Sequence, residues 1–561
     1  MAQFTIQETF DQAREHHRAG RLPEAEQLYR QVLIQQPAHL DAMFYLGILA
    51  SQSRQYDAAI ALFRRAIFLR PGFAQAHYNL GNALRDRGKI EEAFASYQQA
   101  IALKPDLPEP YCNLGNILLE NGQFQDAIDV FRAAIAIRPD SAEALCNLGY
   151  SLKEAGRFDE AIAACRRSIQ VRPDNPEAYT NLGSALQGDD QIDEAIAAHR
   201  HAIALRPGYA EAHNNMGSAM REAGQFDEAL AEFNKAVELR PDLPAAHHDL
   251  AFALLSHGDF DRGWVEYEWR WKCRNFTSPR RDFTQPRWDG SSFKDRTLLV
   301  YAEQGLGDAI QFVRYLPMVA ERGGRVVLEC QPLLREMFRN LVQTISGDCQ
   351  IVCQGEALPE FDLQCPLLSL PLIFQTTLAT IPSQAAYLFP ELEQINSWRK
   401  RLESSGRDLK VGLVWAANPT FKLDRYRSLT LDRLALLGDV PGVTFYSLQK
   451  GLAAAQAKRP PPGMKLVDRT EEFVLFNNDA LIAALDLIIS VDTSVAHLAG
   501  ALGRPTWVPL CFATDWRWML HRTDSPWYPS MRLFRQATRG DWDGVVGRVA
   551  EALRALVQSR L

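Results

Sequence analysis

An aspartate at the end of a glycine-rich turn is a candidate catalytic base in this sequence. Asp308 ends the loop Gly305-Leu306-Gly307-Asp308, which follows the apolar run 297–302 and precedes a helical pattern. A carboxylate at a strand end points into a cleft and can take a proton from an attacking hydroxyl, an effect worth about 100- to 10,000-fold in rate. Alternatively, Asp308 caps the following helix, since aspartate is a favoured cap residue. We expect the two glycines to allow a tight turn and the close approach of a substrate.

A second polar cluster, Asp492, Thr493 and Ser494, lies where another apolar run gives way to a helix. Backbone amides and hydroxyls at a helix N-terminus suit the diphosphate of a nucleotide sugar. Helix capping is again the alternative. His497, one turn further on, either contacts the same donor or packs between helix and sheet.

A basic loop brings Lys422, Arg425 and Arg427 together after the apolar run 411–416. Fixed positive charge of this kind stabilises a departing diphosphate. For Arg425, a solvated loop is the alternative. Gln449 and Lys450, at the end of a further predicted strand, are candidate nucleotide contacts.

Asparagines recur in the first half of the chain at a constant interval of 34 residues, and they are Asn79, Asn113, Asn147, Asn181 and Asn215. A carboxamide both donates and accepts hydrogen bonds, so it can pair with any peptide unit regardless of the side chain. This asparagine ladder therefore predicts a surface that binds an extended peptide with little sequence preference. Alternatively, each amide bonds a neighbouring helix end and sets the spacing of the repeats.

The elements that carry the asparagines recur with the same period. Residues 140–173 show the unit: a cap at Asp140 or Ser141, a first helix, a turn at Gly156 and a second helix. Small residues in register with Gly149 and Ala161 let the two helices approach closely. A period of this length is typical of helix-turn-helix units that stack into an α-solenoid. Residues 4–241 closely resemble the tetratricopeptide consensus, which implies that the first helices line an inner wall.

The last repeat is divergent, with Asp249 in place of the asparagine. In its second helix Trp264, Tyr267 and Trp271 fall at helical spacing on one face. So many aromatic residues at the end of a solenoid predict docking on the next domain.

The second half of the chain alternates short apolar runs with helical patterns, which predicts parallel, doubly wound sheets with a ligand at the carboxyl ends of the strands. Two such sets of elements predict two lobes that face a cleft. We expect the solenoid over 4–275, a linker over 276–295, a first lobe over 296–390, a connector over 391–408, and a second lobe with a terminal helix over 409–561.

Two motifs carry a resemblance to a known family. Gly305–Pro317 and Ser490–Leu510 resemble motifs of the ADP-heptose:lipopolysaccharide heptosyltransferases, with similarity over about 296–545. The resemblance implies the GT-B fold with two Rossmann-like lobes, the first holding the acceptor and the second the nucleotide sugar. It also implies that Asp308 is the base and that Asp492 bonds a sugar or ribose hydroxyl. Arg427, and after it Lys422, matches the residue that neutralises the leaving diphosphate.

The asparagine ladder resembles the repeat domain of the O-GlcNAc transferases, where such amides hold the backbone of a bound protein and the catalytic region is also GT-B. The resemblances imply an acceptor peptide on the five asparagines. They imply a donor site at Gly305, Gly307, Gln449, Lys450, Asp492, Thr493, Ser494 and His497.

Composition and cysteine spacing also narrow the partners, location and cofactors that we expect for this protein. A formal net charge of −7 argues against nucleic acid as the main partner. The N-terminal residues do not resemble a signal peptide and no stretch has the length of a membrane span, so we expect a cytoplasmic protein. The 9 cysteines and 12 histidines lack the spacing of metal ligands, so we expect no metal and no cofactor beyond the nucleotide sugar as co-substrate.

The sequence thus predicts a glycosyltransferase that moves a sugar from a nucleotide sugar to a hydroxyl, with the repeats recruiting a protein acceptor. One alternative is a glycan or lipid-linked saccharide acceptor. The other is a non-catalytic scaffold in which the α/β lobes are silent.

Overall fold

The computed structural model describes residues 5–274, 276–402, 408–419, 424–473 and 478–560, with the side chain of Arg425 outside the description. The chain forms two compact units, Met1–Ala219 and Met220–Leu561.

The first unit is built from paired helices of nearly constant length. They are α1 (Ile6–Arg18), α2 (Leu22–Gln35), α3 (Leu40–Gln52), α4 (Tyr56–Leu69), α5 (Ala74–Asp86), α6 (Ile90–Leu103), α7 (Pro108–Glu120), α8 (Phe124–Ile137), α9 (Ala142–Glu154), α10 (Phe158–Val171), α11 (Pro176–Gly188), α12 (Ile192–Leu205) and α13 (Ala210–Glu222), which ends just past the limit of the unit. From α1 to α12 each helix packs on its neighbour in sequence, and first helices of successive repeats also meet, as α9 does with α7 and α11.

Glycine in the first helices α3, α5, α7, α9 and α11 allows this close packing. A Cβ added at Gly81 would lie 2.6 Å from Cε1 of Tyr97, and one at Gly115 would lie 2.6 Å from Cζ of Phe131. Because real Cβ atoms do not come so close to a ring, the column of small residues is required for the two helices to touch. Turn glycines such as Gly156, with φ of 75°, reverse the chain between the helices.

The second unit begins with the last repeats: α14 (Phe226–Leu239), α15 (Pro244–His257), α16 (Phe260–Tyr267) and a 3₁₀ turn (Glu268–Lys272). Trp264 and Tyr267 are buried in a core shared with Phe312 and with Trp516. The indole N–H of Trp264 donates to the carbonyl of Thr376 at 2.9 Å. The aromatic face therefore packs on the α/β elements, as its spacing predicts.

Parallel strands form two sheets in the described residues. The first contains β1 (Thr297–Tyr301), β2 (Arg325–Cys330), β3 (Cys349–Cys353) and β4 (Leu363–Pro366) in the order β3-β2-β1-β4. The second contains β5 (Leu409–Val414), β6 (Val443–Ser447), β7 (Leu466–Asp468), β8 (Leu487–Ser490), β9 (Thr506–Leu510) and β10 (Met531–Arg535) in the order β10-β9-β8-β5-β6-β7.

The strand order of each sheet shows where the chain stops adding strands on one side and begins to add them on the other. In the second sheet the first three strands run outward on one side and the next three on the other, which is the 3-2-1-4-5-6 order of doubly wound nucleotide-binding folds. The first sheet follows the 3-2-1-4 part of the same order. The reversal lies between β1 and β4 in one sheet and between β5 and β8 in the other.

Helices connect the strands of both sheets. They are α17 (Leu306–Phe312), α18 (Leu316–Ala320), α19 (Arg335–Thr344), α20 (Leu370–Ile373), α21 (Leu392–Leu402), α22 (Asp424–Arg427), α23 (Ala435–Gly438), α24 (Asp479–Ala484), α25 (Ser494–Ala501) and α26 (Trp542–Gln558). Among the described helices none has both the length and the apolar character needed to cross a bilayer.

Candidate functional site

The loop after β1 and the loop after β8 lead into two helices that pack on each other, α17 and α25. A Cβ added at Gly307 would lie 3.0 Å from Cδ2 of His497 and 3.5 Å from Cα of Ser494. Glycine therefore allows the two helices to meet. The structure thus brings together the two motifs that the sequence placed in separate lobes. It also gives Gly307 a packing role, while donor contact at this residue stays a prediction.

Asp308 caps its own helix. Its Oδ2 accepts a hydrogen bond of 2.8 Å from the backbone N–H of Gly305, the residue that precedes α17. A Cβ on Gly305 would lie 3.0 Å from that same oxygen, so glycine leaves room for the cap. The turn takes its positive φ, 61°, at Gln304 rather than at either glycine. Asp308 therefore takes part in the cap from inside α17, with Gly305 as the N-cap residue, and its role as a base stays a prediction. The cap leaves Oδ1 of Asp308 for another partner.

That partner is Arg517, a residue that sequence analysis missed. The guanidinium forms an ion pair with Oδ1 of Asp308. It also bonds Asp515 at 2.9 Å, and its Nε donates to the side-chain oxygen of Gln311 at 2.6 Å. Arg517 is 7% exposed. One buried cation therefore joins a carboxylate after β1 to a carboxylate after β9.

Burial shapes the charges of this cluster. It raises the pKa of Asp308 above its ordinary value, and the attraction of Arg517 opposes the rise. Burial, followed by repulsion from Asp515, raises the pKa of Asp492 to about 6, while Arg427 opposes that shift. Although burial disfavours the charge of Arg517, Asp515 and Asp308 raise the pKa of its guanidinium. The carboxyl groups of Asp308 and Asp492 thus titrate closer to neutrality than free aspartates do.

The other candidate residues after β8 differ in how far they are buried. Thr493 and Ser494 are half-buried at the start of α25, and the Thr493 hydroxyl lies 3.0 Å from that of Ser490. His497 is 6% exposed, and its Nδ1 lies 2.9 Å from the hydroxyl of Tyr528. Its ring stacks on Trp518, and burial lowers the pKa of the imidazole well below its usual value. The packing alternative therefore describes His497, and its contact with donor stays a prediction.

The loop after β5 carries the basic residues. Arg427 is half-buried, with Nε 3.7 Å from Oδ1 of Asp424. The same Asp424 oxygen accepts a 2.7 Å bond from Ser428, whose hydroxyl accepts 2.8 Å from the N–H of Ala417. These bonds tie the Arg427 segment back to the end of β5. Lys422 and the Arg425 side chain lie outside the described residues.

Gln449 and Lys450 bond the backbone around them. Oε1 of Gln449 accepts from the N–H groups of Trp415 and Ala416 at 3.0 and 2.9 Å. The ammonium of Lys450 donates to the carbonyls of Thr470 and Phe473, and burial lowers its pKa. In this structure the two side chains hold loops at the ends of β5 and β7, and nucleotide contacts there stay predictions.

An Asp-x-Asp sequence, Asp541-Trp542-Asp543, has the spacing of a metal-binding motif. Asp541 accepts a 2.8 Å bond from the N–H of Gly544 and caps α26. Helix capping therefore accounts for Asp541.

The asparagine ladder of the first unit links successive repeats. The amide nitrogen of Asn113 donates to Oδ1 of Asn82 at 2.7 Å, and that of Asn147 to Asn116 at 2.8 Å. In the same way Asn181 donates to the carbonyl of Cys146 at 3.4 Å and Asn215 to the hydroxyl of Ser184 at 3.3 Å. Asn79 differs, since it donates at 2.9 Å to Gln75 in its own helix.

All five ladder asparagines are half-buried. Four of them therefore link successive first helices. Their partners lie inside the preceding first helix, whereas the expectation was a bond to a helix end, and a role in setting the repeat spacing stays a prediction. An amide has two N–H donors and a carbonyl oxygen, so these bonds leave further hydrogen-bonding capacity. Peptide binding by the ladder stays a prediction.

Comparisons with known proteins identify the helical repeats and one curated relative. Family models for tetratricopeptide repeats match residues 10–72, 81–122, 112–178 and 174–242. Protein FlbA of Caulobacter vibrioides is 30% identical over 324 residues, 53% of this chain and 53% of FlbA, so the match spans about half the length of this relative.

Two solved structures are also similar. YrrB, described as a TPR protein with an unusual peptide-binding site, is 25% identical over 33% of this chain and 96% of its own, with a TM-score of 0.29. MamA of Desulfovibrio magneticus RS-1 is 26% identical over 30% of this chain and 95% of its own, with a TM-score of 0.28. From the family matches and the 34-residue register of paired helices, the N-terminal helical region is an array of tetratricopeptide repeats.

Proposed function

We propose that the α/β part of this chain is a GT-B glycosyltransferase that moves a sugar from a nucleotide sugar to a hydroxyl on a protein recruited by the repeats. The observation that carries this proposal is the convergence of Asp308 and Asp515 on one buried guanidinium, that of Arg517. It places acidic and basic groups at the carboxyl ends of both parallel sheets, where ligands of doubly wound folds bind.

The positions of the candidate loops support the proposal. Ligands bind where the order of a parallel sheet reverses. The loop of Asp308 follows β1, which borders the reversal of the first sheet, and the loops of Arg427 and Asp492 follow β5 and β8, which border that of the second. Each strand pair at a reversal therefore contributes candidate residues.

The donor diphosphate lies at the N-terminus of α25, where backbone N–H groups and the Thr493 and Ser494 hydroxyls favour an anion. Arg427, half-buried after β5, adds a fixed positive charge. When the bond between the sugar carbon and the phosphate oxygen breaks, this charge stabilises the diphosphate that leaves.

Asp308 acts as the base in this proposal. Its Oδ2 stays bound to Gly305, which fixes the carboxylate, and its Oδ1 accepts the proton of the acceptor hydroxyl. The acceptor must displace Arg517 from Oδ1, and Asp515 then retains the guanidinium. The acceptor oxygen attacks the sugar carbon as the diphosphate departs. A raised pKa suits this role because a base works best when its pKa approaches the working pH.

The tetratricopeptide repeats indicate protein–protein interaction. We assign the partner as the protein acceptor, because the repeats precede the α/β lobes in one chain. A partner that presents a glycan would use the same repeats without being modified itself.

Donor binding tests the proposal first. The melting temperature of the full chain is measured with nucleoside diphosphates, their sugars, and inorganic phosphate as control. A ligand at 100 times its dissociation constant stabilises the folded state by about 2.7 kcal/mol, so a specific nucleotide raises the midpoint well above the phosphate value. If every compound gave the same melting midpoint, the proposal would fail, and the α/β part would be a non-catalytic scaffold.

A further inference from the structure

A cavity of about 250 Å³ lies at the carboxyl end of β1, apart from the residues assigned to donor and base. It is lined by aromatic and polar side chains, among them Trp271, Tyr301, Glu303, Arg281 and Gln354. Cavities that hold drug-sized ligands are roughly 300–1,000 Å³. This cavity therefore fits a small molecule or one ring of a larger one.

Two buried polar atoms on residues of the cavity wall, one in Glu303 and one in Trp271, have no hydrogen-bond partner among the described residues. Glu303 is 2% exposed, and its Oε1 accepts bonds of 3.0 and 2.5 Å from Nε and Nη2 of Arg270. Within the described part of the chain, neither Oε2 of Glu303 nor the buried indole N–H of Trp271 has a hydrogen-bond partner. A buried polar atom without a partner costs about 1–3 kcal/mol. Both residues line the cavity, so a ligand bound there can offer a partner to the acceptor and to the donor.

The charges of the walls are already paired. Arg281 bonds Glu329 at 2.9 Å, and Arg270 bonds both Glu268, at 2.6 Å, and Glu303. Burial raises the pKa of Glu303 to about 7, against the pull of Arg270, so its carboxyl is not a full negative charge at neutral pH. The cavity therefore favours an uncharged ligand.

The remaining wall is apolar. The rings of Trp271 and Tyr301 meet edge to face with centroids 6.3 Å apart, and Trp271 also contacts Phe276. Aromatic surfaces accept the C–H groups of a ring, while Glu303 Oε2 and the Trp271 N–H require an O–H donor and an oxygen acceptor. A hydroxyl supplies both functions, so a small, neutral ligand with a C–H surface and several hydroxyls meets every requirement of these walls.

We propose that this cavity binds one pyranose ring of an uncharged saccharide, with hydroxyls on Glu303 Oε2 and the Trp271 N–H. Saccharide binding here is independent of transfer, so it is measured without a donor. A chain that binds saccharide but no nucleotide would retain this inference and lose the proposed transferase function.

The test is saturation-transfer NMR on the full chain with methyl glucoside, methyl galactoside, methyl mannoside, N-acetylglucosamine and N-acetylgalactosamine as probes. Lysine and acetate serve as charged controls. We expect at least one neutral probe to bind with a dissociation constant in the millimolar range, on the order of −4 kcal/mol. Absence of binding by every neutral probe, or stronger binding of a charged control, would overturn the inference without any variant.

Trp271→Phe tests the site itself. The variant keeps an aromatic ring and removes an N–H that bonds nothing in the described structure, so we expect it to fold. Loss of one hydrogen bond lowers probe affinity by about fivefold to tenfold. Trp269→Phe is the matched control, because Trp269 stacks on His247 at 3.8 Å and does not line the cavity. Equal affinity in wild type and Trp271→Phe would overturn the assignment.

Discussion

Asp308 and the buried Arg517 form a partly buried ion pair that joins α17, the helix after β1, to the 3₁₀ turn after β9. The pair ties a helix cap in one lobe to Asp515 in the other, since Arg517 also bonds that carboxylate at 2.9 Å. It explains how residues more than two hundred positions apart form one site. It also means that any substrate of Asp308 must compete with Arg517.

The cap at Asp308 can be separated from its charge. Asp308→Asn keeps a side-chain oxygen for the Gly305 N–H, whereas Asp308→Ala removes it. Because loss of a cap costs about 0.5–2 kcal/mol, we expect calorimetric melting temperatures in the order wild type, Asn, Ala from highest to lowest. Equal melting of the two variants would show that the cap contributes nothing to stability.

Asp492 makes stability fall as pH rises. Since the folded pKa, about 6, is above the ordinary 3.8, the folded state holds the proton more tightly than the unfolded state. The stabilisation that the folded state gains from protonated Asp492 is fully present below the ordinary pKa, and it is lost as pH rises through about 6. Asp492→Asn should therefore melt higher than wild type at pH 7.5, with the difference shrinking towards pH 4. A difference that is independent of pH would contradict the raised pKa.

The asparagine ladder contains its own control. Asn113, Asn147 and Asn215 donate across repeats, whereas Asn79 donates within its helix. We expect each inter-repeat bond to contribute about 1 kcal/mol, partly offset by the better helix propensity of alanine. Asn113→Ala and Asn147→Ala should lower the melting temperature more than Asn79→Ala. The same melting temperature for all three would remove the spacing role.

Arg427 should control affinity for diphosphates. Removing a charge that contacts a phosphate weakens binding, so Arg427→Ala should lower nucleoside diphosphate affinity by about tenfold or more, as measured by titration calorimetry. Arg433→Ala is the control, because Arg433 is exposed a few residues further along. Equal affinities of the two variants would remove Arg427 from the donor site.

The repeats were predictable because their signal is periodic and local. The 34-residue register fixes both helices and the glycine that packs against Tyr97 or Phe131. Apolar runs bounded by loops predicted the first six strands and β8 but missed β7, β9 and β10. The meeting of the Asp308 and Asp492 loops was expected from the resemblance, since no local pattern encodes a contact between lobes.

Arg517 could not be found in the same way. It lies in Asp515-Trp516-Arg517-Trp518, which matches no motif, and its importance comes from burial and from partners in another lobe. The one local signal is that the arginine stands between two tryptophans, which suggests that it is buried. A buried cation requires acidic partners. Gln449 shows the opposite case. A polar residue at a strand end suggested ligand binding, whereas the structure bonds it to the backbone of the loop that follows β5.

The most direct test uses the nucleotide sugar that raises the melting temperature most. Release of its nucleoside diphosphate is measured with the full chain and with Asp308→Asn, at donor concentrations that saturate both, with water replacing the protein hydroxyl as the group that loses a proton to Asp308 and takes the sugar. If Asp308 is the base of a sugar transfer, wild type releases the diphosphate and Asp308→Asn does so at least about 100-fold more slowly, with an unchanged midpoint shift. Equal rates in the two proteins, or no release by either, would contradict the account.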